Sequence, residues 1–247
     1  MIRFLLLLLM AFASATAVAT DADRTVSAVQ FPKGKSSIVI TGSIEGRRYI
    51  DYRLRAGAGQ TLNVSLTGSN GANYFNLLPP GSNDAAMAIG ELNGNRFSGL
   101  LPDDGLYTIR VFLMRSAARR NETSNFKLSV AITGKPLKPV SAKVDAVIPG
   151  TPFHARTTAP CEPAYSAARE CEVWVIRRGY DGTATVELRW TNDSKQPAKL
   201  RILFIKGEPV AADVSPPMTF TRNERGWQVI FNGDVRFEVP EPLVFGG

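Results

Sequence analysis

Apolar residues recur at every second position through much of the first half of the chain. In Thr61-Leu62-Asn63-Val64-Ser65-Leu66 and in Tyr52-Arg53-Leu54-Arg55 the alternation is strict. A period of two puts one face of a strand on a core and the other in water. By this pattern, and by enrichment in β-branched and aromatic residues, strands are predicted over residues 37–41, 49–54, 61–66, 74–78, 106–113 and 126–132. Gly57-Ala58-Gly59, residues 68–71, Pro79-Pro80-Gly81 and Asp103-Asp104-Gly105 punctuate them as turns. Short strands at regular spacing predict an all-β fold, an antiparallel two-sheet β-sandwich of about 110 residues.

The pattern breaks at Gly134-Lys135-Pro136-Leu137-Lys138-Pro139. Two prolines there end the last strand and begin an extended connection. Strands resume over residues 172–176, 184–190, 200–205, 218–221, 227–231 and 235–239, with hairpin turns at 179–182 and Asn232-Gly233-Asp234. The expected organisation is a first β-sandwich over 20–135, a linker over 136–150 and a second small antiparallel β domain over 151–247. No run reads as a long helix, and no sequence repeat relates the halves.

Residues 1–19 stand apart from both. Arg3 precedes the apolar run FLLLLLMAFA, and small residues lead to Ala17-Val18-Ala19. This is the form of a secretory signal peptide cleaved near Ala19. Its apolar core is far shorter than the roughly 20 residues that span a membrane, so a stable membrane anchor is not expected. The expected location is the periplasm. Export also bears on Cys161 and Cys171, the only cysteines, which are expected to form a disulfide in an oxidising compartment. A loop this short is worth roughly 2.5 to 3 kcal/mol by chain entropy, a local staple.

Charge is skewed between the halves. Residues 20–135 hold 14 Lys+Arg against 9 Asp+Glu, a net of +5, and residues 136–247 hold 14 against 13, a net of +1. An acidic partner should prefer the first half. Nucleic acid is not expected, since no helix-turn-helix, zinc-finger or aromatic RNA-binding pattern occurs.

Catalytic chemistry finds little support. His154 is the only histidine, in the loop stretch Pro152-Phe153-His154, and is expected to be a surface bystander. Asp103-Asp104, followed by Gly105, reads as a turn rather than as paired catalytic carboxylates. G-x-S-x-G, H-E-x-x-H and phosphate-cradling glycine loops are missing from the sequence. No enzyme, cofactor or metal is expected. Asn63, Asn121 and Asn192 head formal glycosylation sequons, which matter only in a eukaryotic source.

One connection is unusual. In VFLMRSAARRNETSNFKLSV, residues 111–130, Arg115, Arg119 and Arg120 stand between two strands with the single acid Glu122. Strands commonly turn in two to five residues on Gly, Asn or Asp, so the extra length needs a reason. Nearby, Tyr74 and Asn76 share one face of their strand and Phe75 the other, which makes Phe75 core and leaves Tyr74 to the core or to a surface.

The segments VQFPKGKSS (29–37), YIDYRLRAGAGQTLNVSL (49–66), ANYFNLLPPGS (72–82) and GLYTIRVFLMRSAARRNETSNFKLSV (105–130) resemble the periplasmic inhibitors of g-type lysozyme. The resemblance covers about residues 29–132. It implies a β-sandwich that binds an animal g-type lysozyme and blocks cleavage of peptidoglycan. The further hundred residues depart from the single-domain family pattern. With C-x9-C and FIKGEPVAAD (204–213) they look like a small module of other exported proteobacterial proteins, without a known function. Under this resemblance, Arg115, Arg119, Arg120, Tyr74 and Asn76 are the expected lysozyme contacts. A glycosidase cleft centres on a carboxylic acid of raised pKa, and an arginine inserted there would fork onto its oxygens. The plain alternative is a solvated loop whose arginines pair with Glu122, Asp103 or Asp104. A second class of function is a cell-wall or glycan-binding accessory module. The first half has no tryptophan for stacking sugars, the three being Trp174, Trp190 and Trp227.

Overall fold

The computed structural model describes residues 23–210, 217–231 and 235–246. The expected signal peptide and the turn at 232–234 lie outside the described residues. Strands dominate. The first sheet runs β1 (Arg24–Ala28), β3 (Tyr49–Ala56), β8 (Gly105–Leu113), β5 (Asn73–Leu78) and β6 (Ala88–Ile89). The second runs β2 (Ser37–Glu45), β9 (Thr123–Thr133), β4 (Thr61–Gly68) and β7 (Arg96–Leu100). Their inner faces meet in one core. Tyr107, Ile109 and Val111 of β8 and Phe75 and Leu77 of β5 pack with Leu62, Val64 and Leu66 of β4 and Phe126, Leu128 and Val130 of β9. These are the apolar members of the alternating runs, so the two-residue period builds the sandwich directly. Phe75, fully buried, is core as its parity predicts. Truncating such a phenylalanine to alanine costs about 3 to 5 kcal/mol.

Two strands escape a reading by alternation. β1 pairs in parallel with β3, and four of its five residues are exposed, so it has no inside face to mark it. β7, RFSGL, buries only Phe97.

Residues 155–240 form a third sheet, antiparallel throughout. Its strands are β10 (Ala155–Glu162), β11 (Glu170–Arg177), β12 (Ala184–Thr191), β13 (Pro197–Ile205), β14 (Glu208–Val210), β15 (Met218–Asn223), β16 (Gly226–Phe231) and β17 (Val235–Pro240). Their order is β14-β13-β12-β11-β10-β17-β16-β15. β10 pairs with β11 through Pro160 and with β17 from Cys161 onward, so the sheet bends there and folds over its own core. Val173, Val186, Leu188 and Ile202 on one side meet Val229, Phe237 and Val239 on the other. The Cys161–Cys171 disulfide closes the β10–β11 hairpin with Cα atoms 5.8 Å apart.

The connection between the sheets corrects the expectation for His154. It is buried, not a surface bystander. Its Nδ1 accepts a hydrogen bond from the Arg177 backbone N–H at 3.0 Å, which leaves Nε2 to donate to the Val140 carbonyl, also at 3.0 Å. The ring thus ties the connecting segment to β11, a pairing that sequence separation hides. The segment also bonds the first half, with Leu137 N–H donating to the Ala58 carbonyl at 2.8 Å.

Candidate functional site

Strand β8 belongs to the first sheet and β9 to the second, so the arginine-bearing connection crosses between layers and is not a hairpin. Packed sheets lie about 10 Å apart, and the extra residues span that gap. They form the single-turn helix α1 (Arg115–Arg119), with Ala117 fully buried as a plug on the end of the sandwich. Asn121 then adopts a left-handed conformation, φ 54°. Its side chain donates to Glu45 at 2.9 Å and lies against Gly46, where an added Cβ would meet its oxygen at 2.3 Å. The β2–β3 turn therefore buttresses the arginine connection from below.

The three arginines are all exposed but differ in their commitments. Arg120 pairs with Glu122 at 2.6 Å, and Asn70 donates to the same carboxylate at 2.7 Å. These hydrogen bonds, Asn70 first and Arg120 second, lower the pKa of Glu122. Arg115 and Arg119 have no ion pair among the described residues. They line a hollow with Arg47, Tyr49, Arg110 and Phe112.

That hollow opens onto the outer face of the first sheet. Tyr74 stands opposite Phe112, and Asn76 opposite Arg110, which in turn stands opposite Asp51. Tyr74 and Asn76 are half-buried, on the outer face together. Asp51 is fully buried beneath the arginines. It accepts from Arg110 Nε at 2.7 Å and Nη2 at 3.0 Å and pairs with Arg24 at 2.8 Å. The hydrogen bonds that Arg110 donates to Asp51 outweigh burial and raise its pKa, so Arg110 stays cationic. Arg110 also lies over the Tyr49 ring, 4.8 Å from its centroid, and donates to the Asn83 carbonyl at 3.1 Å. It thereby joins the loop after Pro79-Pro80-Gly81 to the floor of the hollow.

The arrangement is a cationic, aromatic depression whose floor is fixed by a buried carboxylate and whose lining includes three guanidinium groups, of Arg47, Arg115 and Arg119, without an ion pair among the described residues. Such a surface suits a partner that presents carboxylates. The structure brings Tyr74, Arg115 and Arg119 to one side of the sandwich, separates Arg120 through Glu122, and leaves Asn76 beside Arg110. Sequence reasoning missed Tyr49, Asp51, Arg110 and Phe112. The signal was present: in GLYTIRVFL the apolar inner positions Tyr107, Ile109 and Val111 leave Arg110 and Phe112 facing out.

The opposite end of β8 is also charged, and closed. Its nine residues separate Asp103 and Asp104 from Arg115 by about 27 Å at roughly 3.4 Å per step. Asp104 pairs with Arg178 at 2.8 Å, and Asp103 with Arg201. Arg201 and Arg189 both pair with the buried Glu187. Thr185 donates to the Pro102 carbonyl at 2.6 Å and accepts from Arg178 at 2.8 Å. Burial pushes the pKa of Arg201 down to about 10. Asp103 and Asp104 lie in the bent connection that crosses from β7 of the second sheet to β8 of the first, not in a hydrogen-bonded turn, and their carboxylates bind the third sheet and not the arginine connection. The third sheet thus docks at the pole away from Arg115 and Arg119.

No family model matches the chain. The inhibitor of g-type lysozyme from Escherichia coli (strain K12) is 33% identical over 108 residues, which is 42% of this chain and 78% of that protein. Among solved structures, PliG of Aeromonas hydrophila, a periplasmic lysozyme inhibitor of g-type lysozyme, is 39% identical with a TM-score of 0.42, over 45% of this chain and 98% of that one. A mutant PliG of Escherichia coli is 33% identical with a TM-score of 0.37, over 45% of this chain and all of that one. The sequence identity, carried through most of the relative's length, decides the question: the chain belongs to the family of inhibitors of g-type lysozyme.

Proposed function

We propose that the protein is a periplasmic inhibitor of g-type lysozyme and that residues 20–135 carry the activity. The observation that supports this most is the pair Arg115 and Arg119, held by α1 on the open pole of the sandwich without an ion pair among the described residues. In the proposed complex one of them enters the acidic cleft of the lysozyme. There it would hold the general acid ionised and occupy its oxygens with a forked hydrogen bond, while Tyr74 and the ring of Phe112 cover the rim. Arg120 serves a different purpose, fixing the 120–122 turn through Glu122. Asn76 stands opposite Arg110 on the neighbouring strand. The second unit, 151–247, sits away from this pole, so it does not obstruct a lysozyme there.

The test is a binding comparison. The mature chain should retain soluble g-type lysozyme on a column and inhibit its lysis of cell walls, and should not sediment with insoluble peptidoglycan. Sedimentation with peptidoglycan in the absence of lysozyme binding would favour the glycan-binding alternative.

A further inference from the structure

Strand β2 is the longest strand at an open sheet edge among the described residues, with 9 residues where the others have 2 to 6. It pairs with β9 on one side only. The ladder fixes where its backbone groups point. The Ser36 carbonyl accepts from Ile132 N–H at 2.8 Å at one end, and Gly46 N–H donates to the Glu122 carbonyl at 2.9 Å at the other. Hydrogen-bonded and non-hydrogen-bonded positions alternate along an antiparallel strand, so the even-numbered residues bond β9. Ser37, Val39, Thr41 and Ser43 therefore turn their N–H and C=O groups outward, without a partner among the described residues.

Natural sheets guard such an edge with proline, a bulge or a charged side chain, lysine above all. Residues 37–44 (SIVITGSI) contain no proline and no charge, and their register with β9 runs without a bulge. The edge is unguarded. Val39 is 61% exposed on it, and Ile38 and Ile40 pack against the core yet remain half-buried.

We propose that β2 is a self-association edge, pairing antiparallel with β2 of a second copy about a two-fold axis at Ile40. A two-fold contact must be self-complementary, and one register meets that condition best. With Ile40 opposite itself, Val39 faces the second copy's Thr41 and Ser37 its Ser43, pairs that suit cross-strand contact. Ile38 meets Gly42, and Lys35 comes opposite Glu45 at both ends. A shift of two residues one way sets Arg47 against Lys35. The opposite shift needs Lys33 to face Glu45, and the turn closed by Lys35 N–H on the Pro32 carbonyl carries Lys33 off the strand line. Two four-stranded sheets thus become one of eight, and neither Arg115 nor Arg119 takes part.

The experiment is sedimentation of the full mature chain from about 1 µM to about 1 mM, the span of weak association. The mass should rise reversibly to that of two chains. Val39→Pro removes an outward N–H that β9 does not use, a place where an edge strand accepts proline, so the variant should fold by circular dichroism and stay a single chain throughout. Lys35→Glu should weaken association roughly fivefold, as loss of two exposed ion pairs would. The charge-reversed Lys35→Glu/Glu45→Lys chain should return to within about twofold of the parent. A single-chain mass for the parent at every concentration overturns the proposal and leaves the edge to some other extended segment. A dimer that survives in folded Val39→Pro puts the contact elsewhere and overturns it too. If Val39→Pro does not fold, the charge pair decides: association indifferent to Lys35→Glu, or not restored by the reversal, contradicts pairing in this register.

Discussion

At one end of β8, Arg115 and Arg119 stand in solvent without an ion pair among the described residues. At the other, Asp103 and Asp104 are consumed by Arg201 and Arg178 of the second unit, around the buried Glu187. Both ends are rich in charge, and only one has charge to spare for another molecule. The difference teaches that charge density along a sequence does not mark a binding site. What marks it is charge whose internal partners are missing. The closed pole joins the halves of the chain, and under the proposed function the open pole is the one that meets the lysozyme.

This comparison is most strongly tested at the closed pole. Glu187→Ala leaves Arg189 and Arg201 around a vacated buried position, and removing one member of such a network costs about 3 kcal/mol or more. Unfolding by urea should show that loss, while lysozyme inhibition measured well below the lowered midpoint should not change. A parallel loss of inhibition in the folded variant would mean that the poles are coupled.

A smaller effect is expected from cutting the chain. Residues 20–135 keep the whole core of the two-sheet sandwich, and truncation returns Asp103 and Asp104 to water, where they need no partner. The isolated piece should fold by circular dichroism and inhibit within about threefold of the full chain, a difference below about 0.7 kcal/mol. A folded but inactive piece would move part of the site into the second unit.

The smallest expected effect lies at Glu122. Its pKa is lowered in the folded state by Asn70 and Arg120, so it contributes stability above its unfolded pKa and loses it as pH falls through the folded value. The 120–122 turn should therefore loosen only in acid, below the ordinary glutamate range near 4.5. Amide exchange at residues 120–123 should rise there in the parent and show a much weaker pH dependence in Glu122→Gln. An identical acid response in both would reassign the effect to another group.

Much of the sandwich was legible because its strands are half-buried. Thr61 to Leu66 and Leu106 to Leu113 each show an inside and an outside, and the observed strands contain the predicted ones. β1 was not legible because nearly all of it is exposed, and α1 because a single turn closed by packing of Ala117 leaves no 3.6-residue pattern to read. The candidate site was half legible. The excess arginines were visible, yet the sorting of Arg120 from Arg115 and Arg119 depends on Glu122 and Asn70, the latter 52 residues from Glu122 in the chain. The roles of Asp51 and His154 were hidden for the same reason: their partners come from other strands and from the linker.

The central claim is that unpaired arginines on α1 make the contact. Arg115→Ala and Arg119→Ala should each be compared with the parent in inhibition of g-type lysozyme and in thermal midpoint. At least one should lose about 2 kcal/mol of binding, roughly thirtyfold in affinity, as buried arginine anchors commonly do. Neither should shift the midpoint appreciably, because exposed charges contribute little to stability. Inhibition at the parent's level by both variants and by the double variant would contradict the account.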